Sequence, residues 1–207
     1  MLTIMRQGGP LMWLILLNGI IAVGIYLEKW FHFHRAHINT TDFLAGIRNA
    51  LKRGNVIESI ALCDETPGPV AEVVKAGITN RDRPREEIRE AMEDAARVEI
   101  ARLERRLVVL ATIAQITPLL GFLGTVFGMI TMFRVIQLQQ LPSPGQLAGG
   151  VWEALLTTAG GLVVAVPTYV CYNYLVSRVQ NIVLDMERAA NEMIRFLTRP
   201  DNDTAGQ

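Results

Sequence analysis

Residues 117–130, with the sequence TPLLGFLGTVFGMI, combine a long apolar run with residue types that a helix facing only lipid does not need. The run contains Thr117, Thr125 and Pro118, together with three glycines. A hydroxyl in hydrocarbon needs a hydrogen-bond partner, and glycine and proline each weaken a helix. The pattern therefore indicates either that another helix packs closely against this face or that something polar passes along it.

A single acid interrupts a second apolar stretch. Residues 147–176 carry one charged side chain, Glu153, which is followed by Thr157 and Thr158. An acid within a membrane helix costs at least about 2.5–3.5 kcal/mol, so it needs a partner, a wet cavity or a proton. Two interpretations stay open. Glu153 either reaches the membrane interface, helped by the positive end of a helix, or it belongs to a polar pathway or a partner's charge.

Each of these two stretches has one face of small and hydroxyl-bearing residues and one large apolar face. At about 100° per residue, the small face covers about 120° of the first helix and about 140° of the second. Its members are Thr117, Pro118, Gly121, Gly124, Thr125 and Gly128, and then Glu153, Ala154, Thr157, Thr158, Gly161, Ala165 and Thr168. Small residues let membrane helices approach closely, which favours a packing role for the glycines.

Other kinds of site lack support in the sequence. His32, His34 and His37 could suggest a metal, but on a helix His32 and His34 point nearly opposite ways, and their aromatic neighbours suit a membrane interface. The net charge of +0 gives no reason to expect nucleic-acid binding. The sequence has no phosphate loop, no CxxC pair and no nucleophile–histidine–acid arrangement, and Cys63 and Cys171 read as small apolar residues. We expect no metal, cofactor or catalytic site.

Three apolar stretches set the expected architecture. The chain is 50% hydrophobic with a mean hydropathy of +0.27, which is too apolar for an ordinary soluble domain. A bilayer core needs about 20 helical residues, so 107–133 and 147–176 are long enough to span it and 11–27 just reaches. A signal peptide is the alternative for 11–27, but that stretch lacks a basic start and a small-residue cleavage site.

The segment 28–106 is typical of short helices that lead into a long one. The sequence PGP at 67–69 separates helices, and from Arg85 a strongly helical sequence continues without a breaker through 133. The third apolar stretch likewise continues without a stop beyond 176. We therefore predict an all-α membrane protein with three transmembrane helices, two of them extending far into the cytoplasm, and a small cytoplasmic helical region.

The placement of lysine and arginine predicts the orientation. Only Arg6 precedes the first span and only Arg134 separates the second and third, whereas most of these residues lie in 28–106. Basic residues favour the cytoplasmic side, so the N-terminus is expected outside and the C-terminus inside. The predicted order is an outer N-terminus (1–10), a first transmembrane helix (11–27), a cytoplasmic helical region (28–106), a second transmembrane helix (107–133), an outer loop (134–146), a third transmembrane helix (147–176), and a cytoplasmic helix and tail (177–207).

Taken together, these stretches resemble the ExbB/TolQ/MotA proton-channel family, and specifically its three-span ExbB/TolQ branch. The similarity is carried by TPLLGFLGTVFGMI at 117–130 and by GGVWEALLTTAGGLVVAVPTYVCYNYL at 149–175. GGPLMW at 8–13 and CDETPGPVAEVVKAG at 63–77 resemble the short ExbB-type members as well. The resemblance covers nearly the whole chain in order, although the termini and the outer loop are shorter than in larger members.

The resemblance implies a ring, generally of five subunits, around the paired membrane helices of an ExbD- or TolR-like protein. In that family an aspartate of the partner is the main proton acceptor. By position, Thr125 and Thr158 are the hydroxyls near that aspartate, and Glu153 is the acid on the outer side. The full set expected on the pathway is Thr125, Thr158, Glu153, Thr157 and Thr117, and the set expected in helix packing is Gly121, Gly124, Gly128, Gly161 and Pro118.

The function implied is a subunit of the bacterial inner membrane that converts proton motive force into mechanical work. A TonB/TolA-like protein would receive that work and lipids would surround the ring, with TonB-dependent outer-membrane transport as the leading role. A TolQ-like role in envelope maintenance and a motility role are alternatives within the family. A structural scaffold without proton conduction is an alternative from another class. An intramembrane enzyme lacks a credible catalytic pair.

Overall fold

The computed structural model describes residues 8–35, 40–138 and 143–198, and seven α-helices account for nearly all of these ranges. No strand occurs within them, so the all-α prediction is confirmed. The helices are α1 (Gly9–Arg35), α2 (Thr40–Lys52), α3 (Val56–Glu65), α4 (Pro69–Thr79), α5 (Arg85–Glu104), α6 (Leu107–Leu138) and α7 (Pro144–Leu197).

Within the described ranges, three helical stretches are long and apolar enough to cross a membrane, judged by length and composition. They lie within Gly9–Phe31, Arg85–Leu138 and Leu147–Leu197. These stretches contain the three spans that the sequence predicts, and the predicted fold class is confirmed at this level. The side of the membrane on which each remaining segment lies stays a prediction.

The chain divides into two compact units, and the first unit, Met1–Lys29 with Arg106–Leu175, contains the apolar spans. Its interior is built largely from small or short side chains, whereas large apolar side chains cover its outside. Ala154 and Ala165 of α7 are buried, while Phe122 of α6 and Val163 of α7 are 66% and 72% exposed. This distribution suits a unit whose outside meets lipid or other chains.

The second unit, Trp30–Arg105 with Val176–Gln207, has a conventional hydrophobic core. The core residues come from α2 to α5 and from the last part of α7, and they are Leu44, Ile47, Cys63, Val70, Val73, Val74, Ile78, Ile88, Met92, Met186, Ala189, Met193 and Ile194. An ion pair of 2.7 Å between Arg48 and Glu192 also joins α2 to α7. Short helices that are marginal alone are therefore held together by burial.

Turn residues separate the helices of the second unit, and the boundary before α4 is the one that PGP at 67–69 predicts. Gly54, with φ of 75°, follows α2, and Gly68, with φ of 132°, precedes α4. The side chain of Asn55 accepts a hydrogen bond of 3.2 Å from the backbone N–H of Glu58, which caps the start of α3. Glycine tolerates positive φ and asparagine is a favoured cap, so local sequence fixes these boundaries.

One helix boundary differs from the prediction. Arg105 and Arg106 form a turn between α5 and α6, where the sequence predicts an unbroken helix. The interruption is slight, because Arg105 keeps helical dihedrals and its N–H still donates to the carbonyl of Ala101. In the first unit, Arg106 forms an ion pair with Glu28. By contrast α7 continues unbroken through Pro167, as predicted.

Candidate functional site

The glycines of α6 lie against the threonine- and glycine-bearing face of α7. Gly121, Gly124 and Gly128 are all buried. A Cβ added to Gly121 would lie 3.1 Å from the carbonyl oxygen of Thr157 and 3.4 Å from the Cα of Gly161. Backbone atoms cannot rotate aside as a side chain can, so the two helices approach this closely only because these positions have no side chain.

Thr117 and Thr157 are buried between these helices. Their exposed fractions are 0% and 1%. The hydroxyl of Thr117 donates a 2.6 Å hydrogen bond to the carbonyl of Ile113, and that of Thr157 lies 3.0 Å from the carbonyls of both Glu153 and Ala154. Both hydroxyls therefore bond to their own helix, as threonine commonly does in membrane helices.

Thr158 makes a hydrogen bond from one helix to the other. Its hydroxyl lies 3.1 Å from the carbonyl of Gly121 on α6 and 3.2 Å from the carbonyl of Ala154 on its own helix. Thr125 instead donates to the carbonyl of Phe122, at 2.6 Å. Thr125 and Thr158 are each only partly buried. A helix of another chain could therefore reach both hydroxyls without separating α6 from α7.

Glu153 belongs to α7, and its carboxylate lies beside the first residue of α1. Its side chain is half-buried, and a Cβ added to Gly9 would lie 2.5 Å from its Oε1. The first turn of a helix has N–H groups without helical partners and a partial positive charge, which together favour a carboxylate. The helix start beside this carboxylate is that of α1, not that of α7, which carries Glu153. This contact was not predicted from the sequence. The sequence GGP at 8–10, which is typical of a helix start, is the feature that could have indicated it.

The predicted residues thus occupy three different surroundings. The packing set lies at the contact of α6 and α7, including half-buried Pro118 within α6. Two hydroxyls, those of Thr117 and Thr157, are enclosed there. Those of Thr125 and Thr158 are partly accessible, and Glu153 lies beside α1. The structure brings Thr158 against Gly121, whereas the hydroxyl of Thr125 donates to Phe122 of its own helix and, within the described ranges, makes no hydrogen bond with Glu153.

Nothing in the described ranges resembles a metal site. No group of three or more histidine, cysteine, aspartate or glutamate side chains is arranged to hold an ion within residues 8–35, 40–138 and 143–198. His37 and the side chains of His32 and His34 lie outside the described residues. Cys63 is buried and Cys171 is half-buried, and both are free thiols.

The fold and the site define a multi-pass helical membrane protein that carries hydroxyls in two of its apolar stretches and an acid, Glu153, within the third. The chain belongs to the MotA/TolQ/ExbB proton channel family, which matches residues 65–188. The match includes α6 and most of α7, and hence all the residues predicted for the pathway and the packing. This family is a channel family rather than an enzyme family.

Individual relatives bear ExbB and TolQ names. A putative biopolymer transport protein ExbB homolog of Methanothermobacter thermautotrophicus is 28% identical over 187 residues, which cover 90% of this chain and 66% of that protein. The biopolymer transport protein ExbB of Neisseria meningitidis serogroup A is 25% identical over 202 residues, or 91% of each chain. The Tol-Pal system protein TolQ of Haemophilus influenzae is 37% identical over 109 residues, covering 53% of this chain and 48% of TolQ. The chain thus spans slightly less than two thirds of the archaeal relative.

Proposed function

We propose that this chain is the stator subunit of a proton channel in a bacterial inner membrane. Several copies form a ring, five being the number that the resemblance implies, around the paired membrane helices of an ExbD/TolR-like protein, each copy of which has a single span. The assembly converts proton motive force into work on a TonB/TolA-like protein and so energises TonB-dependent transport across the outer membrane. The observation that carries the proposal is the one acid of the third apolar stretch, Glu153, together with Thr158, in a segment that matches a proton channel family.

The residues of the proposed pathway can be ranked by how easily a partner helix or water reaches their side chains. Thr125, Thr158 and Glu153 are half-buried and come first, because a partner helix or water can reach them. Thr117 and Thr157 are enclosed between α6 and α7. These two join the pathway only when the helices separate, and until then they contribute to packing.

The energy available suits a small mechanical step. One proton that moves through about 100 mV releases about 2.3 kcal/mol, which is enough to bias two arrangements of similar free energy. Protonation of a partner's carboxylate would remove its charge–dipole attraction to the hydroxyls of the ring. The partner helices could then step to the next subunit, which is how proton flow would become motion.

Proton flux in vesicles that contain this chain and its partner tests the proposal. The variants Thr158→Val and Glu153→Ala are expected to reduce flux at least about tenfold, which is about 1.4 kcal/mol in barrier height. Thr158→Ser keeps a hydroxyl and is expected to keep most of the flux.

Thr131→Val is the matched control. Thr131 is exposed on α6, and its hydroxyl donates to its own backbone at Phe127, so its loss removes a similar bond away from the pathway. Full flux in both Thr158→Val and Glu153→Ala would falsify the pathway and leave the scaffold as the better account.

A TolQ-like role in envelope maintenance is the second candidate. It is favoured by relatives named TolQ in Haemophilus influenzae and in Pseudomonas aeruginosa, at 37% and 31% identity. Complementation separates the two roles. A TonB-type subunit restores energised uptake in a strain that lacks ExbB, whereas a Tol-type subunit restores detergent resistance in a strain that lacks TolQ.

A further inference from the structure

The contact between Glu153 and the first residue of α1 depends on the absence of a side chain at Gly9. A Cβ at that position would lie 2.5 Å from Oε1 and 3.6 Å from Cδ of Glu153. Gly9 also has φ of +65°, a conformation that other residues adopt at a cost. Steric space and backbone conformation therefore both require glycine here.

A second contact of the same kind lies in the same turn of α1. A Cβ added to Gly160 of α7 would lie 2.9 Å from the sulfur of Met12. A glycine of α1 thus admits a side chain of α7, and a glycine of α7 admits a side chain of α1. These reciprocal contacts fix the first turn of α1 on α7 at two points, with Glu153 at one of them.

The chemistry of a helix start explains why the carboxylate would stay there. Pro10 has no N–H, but the next residues of the first turn have N–H groups that no helical carbonyl accepts. A helix start of this kind attracts a negative charge, and the half-buried carboxylate of Glu153 lies beside it.

We propose that Gly9 is a positioning residue that holds the carboxylate of Glu153 at the start of α1. Gly9 acts through Glu153, the side chain that an added Cβ would meet. The link to proton flow rests on the function proposed above. The positioning itself does not, because it concerns only the place of one carboxylate within this chain.

Infrared spectroscopy of the purified full-length chain tests the positioning directly. The carboxyl band of Glu153 is identified by its loss in Glu153→Gln. Gly9→Ala is expected to shift this band, since the added Cβ displaces the carboxylate. Gly24→Ala is the matched control, because Gly24 lies in the same helix with no atom within 4 Å of an added Cβ, and the band should stay in place.

Two further variants keep the test decisive if Gly9→Ala accumulates poorly. Gly9→Asn tolerates positive φ better than alanine does, so it isolates the steric effect and should still shift the band. Gly9→Ala combined with Glu153→Asp shortens the acid by one methylene and restores room. This double variant is expected to show the same carboxyl band as Glu153→Asp alone, because the shorter acid no longer meets the added Cβ, whereas a loss of stability unrelated to Glu153 would not give that match.

Proton flux with the partner present separates the two proposals. A displacement of a reacting group by about 1 Å can lower a rate by up to about 100-fold, so we expect Gly9→Ala to lose at least about tenfold. A shifted band with unchanged flux would uphold the positioning and count against Glu153 in the pathway. An unshifted band in both Gly9→Ala and Gly9→Asn would overturn the positioning, whatever the flux.

Discussion

Cys63 shows how surroundings set the chemistry of a single residue in the second unit. Its side chain is 4% exposed in the core. Burial, and then the neighbouring charge of Asp64, raise the pKa of its thiol from 9.0 to about 11. Between these two pH values the folded chain keeps a proton that the unfolded chain loses. The thiol therefore contributes stability that is fully present below pH 9 and is lost as the pH rises towards 11.

Alkylation of Cys63 checks this shift. In a Cys171→Ala background, we expect the rate of reaction with iodoacetamide to rise with a midpoint near the pKa of about 11 in the native chain and near 9.0 in denaturant. Poor access lowers the native rate at every pH but does not move its midpoint. A native midpoint near 9.0 would contradict the shift.

Residue types in the spans were readable from the sequence, but the partners of those residues were not. A hydroxyl in an apolar run, such as that of Thr158, predicts that a hydrogen-bond acceptor lies nearby. Its partner, the carbonyl of Gly121, belongs to another helix. Which carbonyl is reached depends on the rotation and height of α6 against α7, and the period of one helix carries no information on either.

At the scale of elements, the glycine contact of α6 and α7 makes a sharp prediction. A Cβ at Gly128 would lie 2.6 Å from the carbonyl oxygen of Gly150 and 2.8 Å from the Cβ of Ala154. Gly128→Ala is expected to lower the free energy of unfolding in detergent micelles by about 1–3 kcal/mol, because neither neighbour can move away easily.

Gly149→Ala provides the control for this measurement. Gly149 lies on α7 beside Gly150, but an added Cβ there meets nothing within 4 Å. Alanine favours a helix over glycine, so this variant should be neutral or slightly stabilising. Equal losses for the two variants would mean that helix propensity, rather than close approach, governs these positions.

Helix boundaries divide into those that local sequence determines and those that it does not. Gly54, Asn55 and Gly68 end or begin helices through their own conformational preferences, and the last of them belongs to the PGP sequence that predicts a boundary at 67–69. The turn at Arg105 and Arg106 contains neither glycine nor proline, so the local sequence does not predict it. The start of α1 at Gly9 likewise involves Glu153 of a helix far along the chain.

At the scale of the whole molecule, the distribution of apolar residues gave the fold class reliably. Three apolar stretches of membrane length are a property of composition, and the structure contains helices that match them. The division into two compact units was harder to predict from the sequence, because α7 belongs to both units. One continuous helix takes part in two kinds of interior, small residues in the first and methionine and alanine in the second, and only the change in residue type along α7 hints at this.

The orientation in the membrane is the prediction that most directly tests this account of the whole molecule. Basic residues concentrate in 28–106, so Lys52 should face the cytoplasm and Gly145 the outside. In a chain without Cys63 and Cys171, we expect a membrane-impermeant maleimide to label Gly145→Cys on intact spheroplasts. It should label Lys52→Cys only after the membrane is permeabilised. Both positions are exposed, so the fold of the chain itself does not shield either thiol. Labelling in the reverse order would place Glu153 near the cytoplasmic face, where a proton entering from outside would meet it last.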